Sequence, residues 1–120
     1  MRKIVFYETE TGKKPVQEFL DSLSIKESSK VILAMRIVRE SIVVPSDYFK
    51  HLKGTQIYEI RAQSGNNIFR LLCFFHCGDL VVVTNGFAKK SQKTPKKEIE
   101  IAENRRADYI KRMGGLYGRS

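Results

Sequence analysis

Residues 57–87 constrain the fold more than any other part of the chain. Residues 57–62, 68–76 and 80–87 are three runs of β-branched, aromatic and aliphatic side chains, separated only by Gln63-Ser64-Gly65-Asn66-Asn67 and Cys77-Gly78-Asp79. Parallel neighbours need a crossover of roughly a dozen residues or more. Gaps this short therefore predict three antiparallel strands in a meander.

The first half has a different period. Residues 3–7 read as a short, largely buried strand. Pro15 then opens a helix at the position where its missing N–H costs nothing, and Val16, Phe19, Leu20 and Leu23 recur on one face. Ser24 with Glu27 three residues on is a capping-box pattern. It starts a second helix through Val31, Ile32, Met35, Val38 and Ile42, folded back on the first as a helical hairpin and stopped before Pro45. After the meander, Thr94-Pro95 reads as an N-cap followed by proline in the first helical position. The last helix uses Ile99, Ala102, Tyr109, Ile110 and Met113 as its apolar stripe, with the Arg106 stem laid along it, and Gly114-Gly115 as its end. The order β-α-α-β-β-β-α predicts an α+β fold with helices against one face of a small, mostly antiparallel sheet.

At 120 residues and 13.8 kDa the chain is expected to form a single domain over 1–120. Its 42% hydrophobic content excludes wholesale disorder. The formal charge of +9 points to a polyanionic partner, and +6 of it falls within residues 86–120. No apolar run approaches the roughly 20 residues that cross a bilayer, and no leader is recognised at the start, so no membrane partner is expected. Cys73 and Cys77 share one apolar run, where a disulfide would have to bend the strand; a reduced, cytoplasmic protein is the expectation.

Alternation places Ile57, Glu59 and Arg61 on one side of their strand and Tyr58, Ile60 and Ala62 on the other. Arg70 interrupts the next strand between Phe69 and Leu71, where an aliphatic residue would be ordinary. A turn at Gly65 would set Arg61 opposite Arg70, and like charges so opposed destabilise a sheet. These residues alone leave two readings open: a solvated outer face with Glu59 as neutraliser, or a concave anion site. Lys89, Lys90, Lys93, Lys96 and Lys97 follow, the last two in a first helical turn, where the macrodipole disfavours positive charge by about 0.3–1 kcal/mol each. Lysines kept there suit an anion at a helix N-terminus. His51 and Lys53 lie in a basic loop entering the sheet.

Metal and nucleotide motifs are weak. Alternation turns His76 away from Cys73 and Cys77, and no P-loop, Gly-x-Gly-x-x-Gly or serine nucleophile elbow occurs. No metal or cofactor is expected.

The order of elements, the hairpin Tyr58-Glu59-Ile60-Arg61 to Asn67-Ile68-Phe69-Arg70-Leu71-Leu72, and the stretch from Gly86 through Lys89-Lys90-Ser91-Gln92-Lys93-Thr94-Pro95 together resemble the RelE/HigB-type toxins of type II toxin–antitoxin systems, in their phage-derived branch within the RelE/ParE superfamily. The resemblance implies a RelE-like fold and an endoribonuclease that cuts messenger RNA at the ribosome without a metal. It also implies a cognate helix-turn-helix antitoxin. Carried over by position, it puts Arg70 on the scissile phosphate, Arg61 at a basic hairpin position, and Lys89 and Lys90 near the basic position after the last strand. Glu59 stands where relatives have a second lysine, and the tyrosine that some relatives place near the C-terminus has no clear counterpart.

Cleavage without a metal would use the RNA's own 2′-hydroxyl as nucleophile. That requires a proton acceptor, stabilisation of a doubly charged phosphorane, and a proton for the leaving 5′-oxygen. Glu59, Arg61, Arg70 and Lys90 are the expected catalytic residues, Glu59 being the best base available and His51 or a lysine the acid. His51, Lys53, Lys89, Lys93, Lys96 and Lys97 are the expected RNA-binding residues. Two rival readings are a non-enzymatic gyrase poison similar to the ParE branch and a plain basic nucleic-acid-binding module.

Overall fold

The computed structural model describes residues 1–89 and 93–117, with side chains through residue 114. The elements run β1 (Lys3–Phe6), α1 (Pro15–Asp21), α2 (Ile25–Glu40), β2 (Phe49–His51), β3 (Tyr58–Ser64), β4 (Asn67–His76), β5 (Leu80–Lys89) and α3 (Lys96–Tyr117). One five-stranded sheet has the order β1-β5-β4-β3-β2, antiparallel except for the parallel pair β1 and β5. The fold is α+β, as the sequence predicts.

Local chemistry explains the connections. The Ser24 hydroxyl accepts from the Glu27 N–H at 3.1 Å while the Glu27 carboxylate accepts from the Ser24 N–H at 3.0 Å, the capping box read from the sequence. Gly65, with φ of 61°, takes the first central place of the two-residue β3–β4 turn, the type II′ arrangement whose twist suits a hairpin. That turn aligns Arg61 with Arg70.

The helices occupy both faces of the sheet, which corrects the one-face expectation. On one side α1 and α2 bury Val16, Leu20, Val31, Ala34, Met35 and Val38 against Ile60, Leu71, Cys73, Val81 and Val83. On the other, α3 rests on β4 and β5, with Ala102 and Ile99 against Leu72, Phe74 and Val82. The physical reason lies in β4: Leu71 and Cys73 are apolar on one face, Leu72 and Phe74 on the other, and a strand buried on both sides reads as a continuous apolar run. The Arg106 guanidinium lies over the Phe74 ring at 5.9 Å, as its place on the stripe predicts.

Three further differences have simple causes. The segment 49–51 is a strand, not a loop, because its three residues pair with Tyr58, Glu59 and Ile60. Helix α2 ends at Glu40, so Ile42 lies outside it and is 94% exposed. Helix α3 runs through Gly114 and Gly115 to Tyr117, since a glycine costs only about 1 kcal/mol in a helix and need not end one.

Gly86 on β5 is a close approach. A Cβ there would lie 2.5 Å from the Phe19 ring of α1 and 2.6 Å from Leu71. Gly86→Ala is expected to destabilise the fold by about 1–3 kcal/mol through overpacking. Chemical denaturation should show the loss, and Phe19→Leu in the same chain should recover part of it.

Candidate active site

The α3-covered face of the sheet carries charge where α3 leaves it. Glu59 and Arg61 on β3 and Arg70 on β4 share that face by register with Leu72. Glu59 is wholly buried, at 0% exposure, and Arg70 is 2% exposed. A buried carboxylate must be fully hydrogen-bonded to persist. One oxygen of Glu59 accepts from Arg70 Nη1 at 2.6 Å and from Arg61 Nε at 2.9 Å, and the other accepts from the Thr94 hydroxyl. Burial pushes the Glu59 carboxyl upward, but the hydrogen bonds from Thr94 and Arg61 and the charges of Arg70 and Arg61 outweigh it, and the net shift is downward. Glu59 thus accepts three hydrogen bonds, two of them from cations, which favour its ionised form.

Lys89, at the end of β5, joins the cluster at 7% exposure. Burial first, then repulsion from Arg70, holds its ammonium below the ordinary lysine range, with Arg61 and Lys93 adding to the effect and Glu59 opposing it. Among the described residues, Arg70 Nε and Lys89 Nζ have no hydrogen-bond partner. Three cations thus meet one carboxylate, with two buried donors left over. The solvated-face reading does not hold, because Glu59, Arg70 and Lys89 are buried away from water.

The other residues named from the sequence fall in different places. Lys90 lies outside the described residues. Lys93 is exposed next to Thr94 and acts electrostatically on Lys89. Lys96 and Lys97 are exposed in the first turn of α3. His51 pairs with Tyr58, so it points to the face opposite Glu59; its Nε2 lies 2.7 Å from the Thr55 carbonyl and its ring tilts against Tyr58 at 4.9 Å. Lys53 is exposed in the turn after β2.

Two contributors escaped the sequence reading. Thr94 was expected to cap α3, yet its hydroxyl serves Glu59, and the Pro95 carbonyl accepts the first helical bonds from Glu98 and Ile99. The hydroxyl proton goes to a buried carboxylate, a charge-assisted bond about twice as strong as a neutral one. The second is Lys50, opposite Glu59 on β2 and exposed, hidden while that strand was read as a loop.

The β4–β5 ladder is irregular beside the site. Cys73 faces Val83 and Leu72 faces Asn85, which leaves Thr84 as the extra residue of a β-bulge. Its hydroxyl donates to the Leu72 carbonyl at 3.1 Å, and the Asn85 amide holds Glu98 of α3 at 3.0 Å. These bonds fix the start of α3, and with it Thr94, against the sheet.

The family model described as phage derived protein Gp49-like (DUF891) matches residues 18–107, and the chain belongs to this family, the RelE/HigB-type group anticipated from its hairpin. It is 31% identical over 111 residues to the proteins named "Probable endoribonuclease HigB1" of Mycobacterium tuberculosis strains CDC 1551 / Oshkosh and ATCC 25618 / H37Rv, covering 91% of this chain and 86% of each relative. Among the described residues no helix is long and apolar enough to cross a membrane.

Proposed function

We propose that the chain is the toxin of a toxin–antitoxin pair and an endoribonuclease that cuts messenger RNA with the substrate's own 2′-hydroxyl. The observation that carries this reading is the pair of buried donors, Arg70 Nε and Lys89 Nζ, that have no hydrogen-bond partner among the described residues, beside a carboxylate that already accepts three hydrogen bonds. Donors desolvated without a partner are costly, and a phosphate between them removes that cost. Preorganised donors in a partly dry site are also what a developing phosphorane requires.

In the proposed reaction the 2′-oxygen attacks phosphorus, the bond to the 5′-oxygen breaks, and a 2′,3′-cyclic phosphate and a 5′-hydroxyl result. Arg70, with Arg61 beside it, stabilises the phosphorane, and Glu59 and Thr94 position both guanidiniums. Proton transfer is assigned to Lys89, because Glu59 is spent on three donors and His51 is on the other face. A lysine held below its ordinary range is both a better acid and, when neutral, an available base. Lys93, with Lys96 and Lys97, supplies salt-dependent attraction for the RNA backbone. The ribosome as the place of cutting, independence of metal and a helix-turn-helix antitoxin rest on the family resemblance, and the cytoplasm as the compartment rests on the two free cysteines, Cys73 and Cys77. The basic surface favours an acidic antitoxin segment.

Primer extension on messages after induction should give discrete cuts, and purified chain with and without ribosomes should assign the requirement. DNA damage without RNA cuts would support a gyrase poison instead, and neither result a plain binding module. Lys89→Gln is expected to lower cleavage by about 10²-fold or more while leaving the melting temperature unchanged or higher, since a buried cation repelled by Arg70 and Arg61 is removed. Cleavage unchanged in that variant would take proton transfer away from Lys89.

A further inference from the structure

Lys89 reaches the anion cluster only because β5 changes phase along its length. In the first half of the strand Leu80 and Val82 face α3, while Val81 and Val83 pack toward α1 and α2. Unbroken alternation would carry the α3 face on through Thr84, Gly86 and Ala88 and send Lys89 to the other side. The second half does the opposite. Asn85 lies opposite Leu72, Phe87 opposite Arg70 and Lys89 opposite Ile68, all on the face that carries Arg70. The surplus residue Thr84 makes the difference, because a shift of one position exchanges the two faces of a strand.

Two neighbouring residues hold this phase. The buried Asn85 amide donates to the Glu98 carboxylate at 3.0 Å and to the Glu98 carbonyl at 3.2 Å, and its oxygen accepts from the Thr84 hydroxyl at 2.5 Å. A ladder slipped by one place would set Asn85 opposite Leu71, on the apolar face toward α1, away from those partners. It would also put a side chain where Gly86 now stands, and a Cβ there lies 2.5 Å from the Phe19 ring and 2.6 Å from Leu71. The slipped ladder is thus refused twice. We propose that Asn85 is a positioning residue for Lys89: together with Gly86 it selects the bulged register, and so delivers the Lys89 ammonium to the face of Arg70 and Glu59. The inference rests on the assignment of proton transfer to Lys89 and adds to it the element that brings this group to the site.

Asn85→Gly opens both locks, since it removes the amide and brings a residue without Cβ to the place opposite Leu71. In the full chain it should move the cross-strand NMR contact of Arg70 from Phe87 to Gly86. RNA cleavage should fall by about tenfold or more, because only the fraction in the bulged register carries Lys89 at the site. Deleting Thr84 from the Asn85→Gly chain removes the surplus residue, so a regular ladder again sets Lys89 opposite Ile68. The Arg70–Phe87 contact should return and cleavage should recover most of its loss, although the bonds to Glu98 stay broken. A role of Asn85 in holding α3 alone predicts no recovery. An Asn85→Gly chain that keeps Phe87 opposite Arg70, a slipped register with cleavage unchanged, or a deletion that recovers nothing overturns the proposal. If Asn85→Gly does not fold, the deletion chain decides: folded and cleaving, with Phe87 opposite Arg70, it supports the proposal, and unfolded it overturns it. A register that moves and returns as stated, in a protein whose wild type cuts no RNA, leaves the bulge standing and sinks the nuclease reading; cleavage by the wild type with an unmoved register does the reverse.

Discussion

Arg70→Lys is expected to lower RNA cleavage by about 10²–10³-fold in a chain that still folds. Arg70 does two things with separate atoms: Nη1 donates to Glu59 at 2.6 Å, and Nε, buried and without a protein partner among the described residues, is left for an anion. A lysine keeps the charge that Glu59 needs, but its single ammonium cannot reproduce the planar fork that serves a carboxylate and a phosphate together. Arg70→Ala would confuse the two roles. It leaves a wholly buried carboxylate with one donor fewer, and breaking such a pair costs about 3–5 kcal/mol, so lost activity could reflect lost structure. The lysine variant separates them when cleavage of a defined RNA and denaturant unfolding are measured on the same preparation. Growth inhibition should disappear while antitoxin binding stays largely intact. A lysine variant that cleaves at the wild-type rate would remove Arg70 from the transition state.

The Arg61–Arg70 pairing was legible in the sequence because two local rules agree: strand alternation assigns the faces, and the Gly65 turn sets the register. The burial of that pair was less legible. It depends on α3 lying across the sheet from α1 and α2, and the only local sign was a β4 apolar on both faces. Thr94 illustrates a different obstacle. A threonine before proline looks the same whether its hydroxyl caps the helix or serves a carboxylate 35 residues away, and only the fold decides between them. The short β2 was hidden for a related reason, since Phe49-Lys50-His51 has little strand character of its own and is held by its pairing with β3. With β2 unrecognised, the placing of His51 on the far face was not accessible.

Glu59→Gln should produce the largest change in stability and tie it to pH. Glutamine has nearly the same shape and can still accept from Thr94, so the change mainly removes a charge from among Arg61, Arg70 and Lys89. At neutral pH the variant is expected to be less stable by about 3–5 kcal/mol, because buried cations lose their only close anion among the described residues. The folded carboxyl lies below its ordinary value of 4.5, so its stabilisation is complete above that value and is lost as pH falls through the lower folded one. The gap between wild type and variant should therefore be widest above about pH 4.5 and close below it. Inorganic phosphate gives an independent handle: an anion bound to the folded state raises stability by mass action, and it should raise the glutamine variant more than the wild type, since it replaces the missing charge. A gap that is constant across pH and unmoved by phosphate would mean that Glu59 acts through its shape, and that the cations need no internal counter-ion.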